Sequence, residues 1–130
     1  MTVVDPSNLL GTVISERYEV QEVLGEGSMG IVFLAEHTHM KKKVALKVMR
    51  QEFLDNSEAV ERFQREAQAT GHIEHPHVCA ATDFGQLDDE RFFLVMEYLD
   101  GETLGDVLDD VGRFDPQRAV KITRQIAQGL

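Results

Sequence analysis

The spacing of hydrophobic positions changes along the chain, and the changes mark its elements. Between Tyr18 and Arg50, apolar residues either alternate with polar ones or gather in β-branched and aromatic runs, as strands require. The pattern predicts strands over Tyr18 to Leu24, Ile31 to Thr38 and Lys43 to Arg50, joined by short turns into an antiparallel meander. In the third strand Val44, Leu46 and Val48 fall on one face, whereas Ala45, Lys47 and Met49 share the other. From Ser57 the period lengthens. Ala59, Val60, Phe63, Ala67 and Thr70 form one helical stripe, with Ser57 as the expected N-cap and Gly71 as the stop. Strands over Cys79 to Leu87 and Arg91 to Leu99 follow a rigid turn at Pro76. A short helix over Thr103 to Val111 comes next. Asp115-Pro116 then opens a last helix through Leu130, with Ala119, Ile122, Ile126 and Leu130 in one stripe. Residues 1–17, with Pro6, Gly11 and several small polar side chains, read as an extended leader holding at most a short strand around Val13.

Composition narrows the classes of function. The 130 residues are 42% hydrophobic and 28% charged, which suits one modest core. Lysine and arginine number 13 against 23 acids, a net charge of −10. Binding of polyanions by bulk charge is therefore not expected, no nucleic-acid partner is expected, and any phosphate site must be local. No apolar run approaches the length of a membrane span, and the N-terminus lacks a signal pattern. Cys79 is the single cysteine, which excludes an internal disulfide and suits a reducing compartment. A cytoplasmic segment without membrane contact is expected.

Candidate chemistry gathers between Leu24 and Lys47. Gly25, Gly27 and Gly30 form G-x-G-x-x-G, and missing Cβ atoms let backbone N–H groups approach a phosphate. Strand-like runs on both sides make this a hairpin cap. A dinucleotide-binding turn would instead open a helix and be followed by an acid about 20 residues on, and Lys43 to Met49 holds no carboxylate. A Walker loop needs G-K-[ST], whereas Ile31 and Val32 follow Gly30. Lys47 alone would pass for an edge-strand lysine beside Lys41, Lys42 and Lys43, but the glycine turn upstream argues for a role. Glu66 lies on the border of the helical stripe, where a carboxylate needs a cation; Lys47 is the natural partner, and Arg62 along the helix competes. His72, His75, His77 and Cys79 carry zinc-type ligands, but Pro76 interrupts them and no second cluster exists to close a site, so no metal site is assigned.

In order, these parts resemble the eukaryotic-type protein kinases, in the style of the bacterial serine/threonine kinases, over roughly Tyr18 to Leu130. The glycine loop with Val32 matches G-x-G-x-x-G-x-V, and Val44-Ala45-Leu46-Lys47 is similar to V-A-I-K. His75-Pro76-His77-Val78 resembles the H-P-x-[IV] turn, and Met96-Glu97-Tyr98-Leu99-Asp100-Gly101 resembles the hinge. Asp83-Phe84-Gly85 spells the metal-binding D-F-G, but it precedes the hinge, so no metal role is expected.

The resemblance implies an α+β fold: a kinase-like small lobe with a five-stranded antiparallel sheet and the αC helix, followed by a hinge and two large-lobe helices. Residues 18–99 would form the ATP-binding lobe and hinge, and residues 100–130 the first helices of an incomplete large lobe. It assigns catalytic roles to Lys47, on the α- and β-phosphates of ATP, and to Glu66, which orients it; the two are expected within salt-bridge distance or separated only by an αC helix swung outward, with Asp83 an alternative partner for the lysine. ATP would lie under the loop of Leu24, Gly25, Glu26, Gly27, Ser28, Met29 and Gly30, between apolar walls from Leu24, Val32 and Ala45. Met96 would be the gatekeeper, and the Glu97 carbonyl and Leu99 amide would take the adenine edge. Asp106 would approach the ribose, or form a solvated acidic face with Asp109 and Asp110. Mg²⁺ is implied as well, with its ligands expected beyond the end of this chain, since H-R-D-x-x-x-x-N, a properly placed D-F-G and A-P-E are not among the 130 residues. The parent would transfer the γ-phosphoryl of Mg-ATP to hydroxyls of a protein substrate, and this chain alone is expected to be inactive. The rival reading is a non-catalytic, pseudokinase-like module for binding a nucleotide or a protein. Self-association through the C-terminal helix is also expected.

Overall fold

The computed structural model describes residues 9–130; residues 1–8 of the expected leader, Pro6 among them, lie outside the described residues. One antiparallel sheet is built from β1 (Val13–Ile14), β2 (Tyr18–Glu26), β3 (Gly30–His37), β4 (Lys42–Met49), β5 (Ala81–Gln86) and β6 (Phe92–Glu97). Its strand order is β1-β2-β3-β4-β6-β5. The sheet thus has six strands where five were expected. The extra one lies in the segment read as a leader, where Ile14, only 4% exposed, pairs with Tyr18 and enters the core.

The alternation read in the third strand separates the two apolar clusters. Val44, Leu46 and Val48 join Val20, Phe33, Phe93 and Val95 on one face, with Ile14 and Tyr18. Met49 and Leu94 face the other way and pack against Phe63 and Ala67 of α1 (Ser57–Gly71). Fully burying such a side chain is worth about 1.5–3 kcal/mol, so a one-residue slip of β4 would exchange the clusters at prohibitive cost.

The cap of α1 lies one residue earlier than expected. Asn56 Oδ1 accepts from the amides of Glu58 and Ala59 at 3.1 and 3.2 Å, which leaves Ser57 as the first helical residue. Asparagine caps as well as serine does, and its carbonyl reaches the second and third amides of the helix. The D-F-G triplet is part of β5. There Asp83 Oδ2 accepts from the Tyr18 hydroxyl at 2.8 Å and pairs with Arg17 at 3.1 Å, tying one edge of the curled sheet to the start of β2. Burial first, then the hydrogen bond and charge of Asp83, push the Tyr18 hydroxyl up to about 12 against a smaller opposing effect of Arg17.

Two helices follow the sheet, α2 (Leu104–Val111) and α3 (Pro116–Gly129). Thr103 caps the first through the Asp106 amide and Asp115 the second through the Arg118 amide, with Pro116 in its first turn. Neither helix buries a side chain fully. The end of α3 lies against the turn before β5, since a Cβ on Gly129 would sit 3.2 Å from Val78 Cγ2.

Candidate functional site

The glycine turn joins β2 to β3, which pair as far as Glu26 and Ile31. Within it the Gly27 amide donates to the Gly30 carbonyl at 2.8 Å. Gly30 is required by packing, because a Cβ there would lie 2.8 Å from the Val48 carbonyl oxygen. Gly25 is different: a Cβ at that position would meet nothing within 4 Å, so nothing in this chain demands the missing side chain. Leu24, Glu26 and Ser28 are exposed, and Met29 is half-buried.

Register places the remaining parts on one face. Gly25 lies opposite Val32, Val32 opposite Lys47, Lys47 opposite Leu94, and Ala45 opposite Met96. Directly opposed residues share a face, so Val32, Ala45, Lys47 and Met96 form a continuous surface running from the glycine turn to the end of β6. Helix α1 covers part of that face through Phe63 and Ala67.

At the end of β6, Glu97 is held twice by Ala80. Its amide donates to the Ala80 carbonyl at 2.9 Å, and its carboxylate Oε2 accepts from the Ala80 amide at 3.0 Å. The Cys79 thiol donates to the Glu97 carbonyl at 3.6 Å; burial and then the nearby Glu97 charge push that thiol up, which keeps it protonated. A carbonyl has two lone pairs, so one remains for a ligand. These contacts turn the Glu97 side chain away from the shared face. Leu99 is exposed just beyond, and Asp106 is exposed in the first turn of α2.

The structure does not bring Lys47 and Glu66 together as an ion pair. Lys47 is half-buried, with Nζ 5.8 Å from the centre of the Phe63 ring. Glu66 is exposed, about 60° around the helix from Phe63, so it stays on the border of the packed face. The alternative partner for the lysine, Asp83, is taken by Tyr18 and Arg17. The contact with Phe63 went unseen in the sequence because phenylalanine reads simply as core. Arg50 was missed too: its Nε donates to the Gly27 carbonyl at 3.0 Å, and its amide donates to the Met29 carbonyl at 3.0 Å. An arginine ending a strand carries no signal for such a role.

The histidines and Cys79 do not converge. His75 Nδ1 accepts from the His77 amide at 3.0 Å, and among the described residues no three His, Cys, Asp or Glu side chains form a group that could hold a metal. Among the same residues, no helix is long and apolar enough to cross a membrane.

Comparison with known proteins gives a consistent picture. The chain is 37% identical over 126 residues to the serine/threonine-protein kinase pkn3 of Myxococcus xanthus, covering 97% of this chain and 23% of that protein. It is 35% identical over 122 residues to the serine/threonine-protein kinase PrkC of Bacillus subtilis, covering 94% of this chain and 19% of that one. The chain thus spans about a fifth of the length of these relatives. Among solved structures, the Mycobacterium tuberculosis PknI kinase domain superposes with a TM-score of 0.76 at 27% identity, over 92% of this chain and 48% of that one. The family profile described as "Protein kinase domain" matches residues 18–130, nearly the whole chain, and the chain belongs to the protein kinase domain family.

Proposed function

We propose that residues 18–99 bind ATP on the face shared by Val32, Ala45, Lys47 and Met96, and that the protein to which the chain belongs transfers the γ-phosphoryl of Mg-ATP to protein hydroxyls. The observation that carries this is the register that sets Val32, Ala45, Lys47 and Met96 on one face directly beside the glycine turn. The exposed turn from Glu26 to Met29 would cover the phosphates, and the remaining lone pair of the Glu97 carbonyl with the Leu99 amide would take the adenine edge. Lys47 would bind the α- and β-phosphates once its ammonium leaves the Phe63 ring, and a shift of α1 would let Glu66 hold it there. Bound Mg-ATP supplies the phosphoryl group and its counter-ion. Asp83, already held by Tyr18 and Arg17, is not available as a metal ligand.

The separation of Lys47 from Glu66 favours a second reading, a nucleotide-binding or protein-interaction module that transfers nothing. Calorimetry with ATP tests the first part of both. The parent chain should bind ATP saturably, and Lys47→Met should weaken binding by roughly tenfold or more, as expected for a lost charge-assisted hydrogen bond worth about 1.5–3 kcal/mol. Equal affinity in the two proteins would contradict the role of Lys47. The 130-residue chain should transfer no phosphate to protein; transfer by purified chain that Lys47→Met abolishes would show that it is active as it stands.

A further inference from the structure

We propose that Arg50 is a positioning residue that sets the direction in which the glycine turn presents its amides, and so governs recognition of the nucleotide's phosphates. This rests on the reading of that turn as the phosphate-binding loop. Two carbonyls of the turn point at Arg50: Gly27 O receives Nε at 3.0 Å, and Met29 O receives the backbone amide at 3.0 Å. Among the described residues no peptide bond is cis, and in a trans peptide the C=O and the following N–H point in opposite directions. Fixing Gly27 O and Met29 O toward Arg50 therefore turns the N–H groups of Ser28 and Gly30 away from it. Two donors on one side of a turn, with their carbonyls held on the other, are what an anionic ligand requires. Without Arg50 the Gly27 carbonyl would be free to swing to the ligand side and repel a phosphate. Arg50 also links the turn to α1: its own carbonyl accepts from the Phe53 amide at 3.1 Å, and Phe53 packs into the cluster of Phe63 and Leu94. A guanidinium suits the position because a planar, permanently charged group holds a carbonyl at a fixed angle.

The test compares ATP with adenosine, which shares the base and ribose but carries no phosphate, in the parent chain, Arg50→Met and Arg50→Lys. The amide NMR resonances of Ser28 and Gly30, which report the orientation of the turn, are followed without ligand. Arg50→Met should weaken ATP roughly tenfold, the size expected for a charge-assisted hydrogen bond, leave adenosine within about twofold, and displace both amide resonances. Unchanged adenosine affinity shows that the variant is folded. ATP binding unaffected by Arg50→Met would overturn the proposal while leaving the nucleotide site standing. Arg50→Lys keeps the charge: full recovery of ATP affinity with both resonances still displaced would assign the effect to charge alone and equally overturn it. Partial recovery, or recovery of both readouts together, supports positioning through the hydrogen bond. A parent chain that binds adenosine but gains nothing from the phosphates would refute both the loop reading and the role of Arg50.

Discussion

Tyr18 shows how one residue can carry both packing and charge. Its ring packs edge-on against His37 and Phe93, and its hydroxyl donates to Asp83. A hydroxyl pushed up to about 12 in the folded chain, against 10.0 when unfolded, binds its proton more tightly in the native state. Its contribution to stability is therefore complete below about pH 10 and is lost as the pH rises toward about 12. Urea unfolding at pH 9 and pH 11.5 should show a larger loss for the parent than for Tyr18→Phe, which has no proton to lose; equal losses would mean that the hydroxyl is not held as described. At this scale the sequence was informative where a residue type is chemically unusual for its place. Three glycines in a strand-rich context marked the turn, and a lysine facing away from the main apolar cluster marked Lys47. Position along the chain also read Asp83 as a strand or turn residue, and it lies in β5. Arg50 and Phe63 were invisible because their roles arise from what folds beside them.

Among the elements, the strands and helices with several periodic positions were legible to within a few residues. The least legible was β1, read only as at most a short strand around Val13, and the reason is in its turn. Ile14 O accepts from the Arg17 amide at 3.0 Å, with Ser15 and Glu16 between them at φ of 52° and 59°. Such left-handed turns are usually marked by asparagine or glycine, and a two-residue strand has no periodicity to reveal it. The same geometry makes a prediction. A non-glycine residue in this region costs about 1–2 kcal/mol, so Glu16→Gly should raise the unfolding free energy, offset in part by the greater freedom of glycine in the unfolded chain. A chemical denaturation curve with a lower midpoint would show that the Glu16 side chain stabilises the turn by contacts that outweigh its strain.

The whole molecule is packed at one end and open at the other. The sheet and α1 share two clusters, whereas α3 leaves Ile126 48% exposed and Leu130 fully exposed, with Ile122 half-buried. Covering such residues is worth about 1.5–3 kcal/mol each, a large part of a domain's usual margin of about 5–15 kcal/mol. The 130-residue chain should therefore self-associate in sedimentation, and the Ile122→Lys, Ile126→Lys double variant should not; a monomeric parent with a well-protected α3 would contradict this. The open face between the glycine turn and the end of β6 is the central claim, and mapping amide NMR shifts during an ATP titration tests it most directly. With ATP raised several-fold above about 1 mM, the upper end of usual enzyme–substrate constants, resonances of Gly25 to Gly30, Val32, Lys47 and Glu97 to Leu99 should move together along one saturable curve while those of α3 stay still. No movement at those amides, or movement confined to α3 or β5, would place the ligand elsewhere and contradict the account.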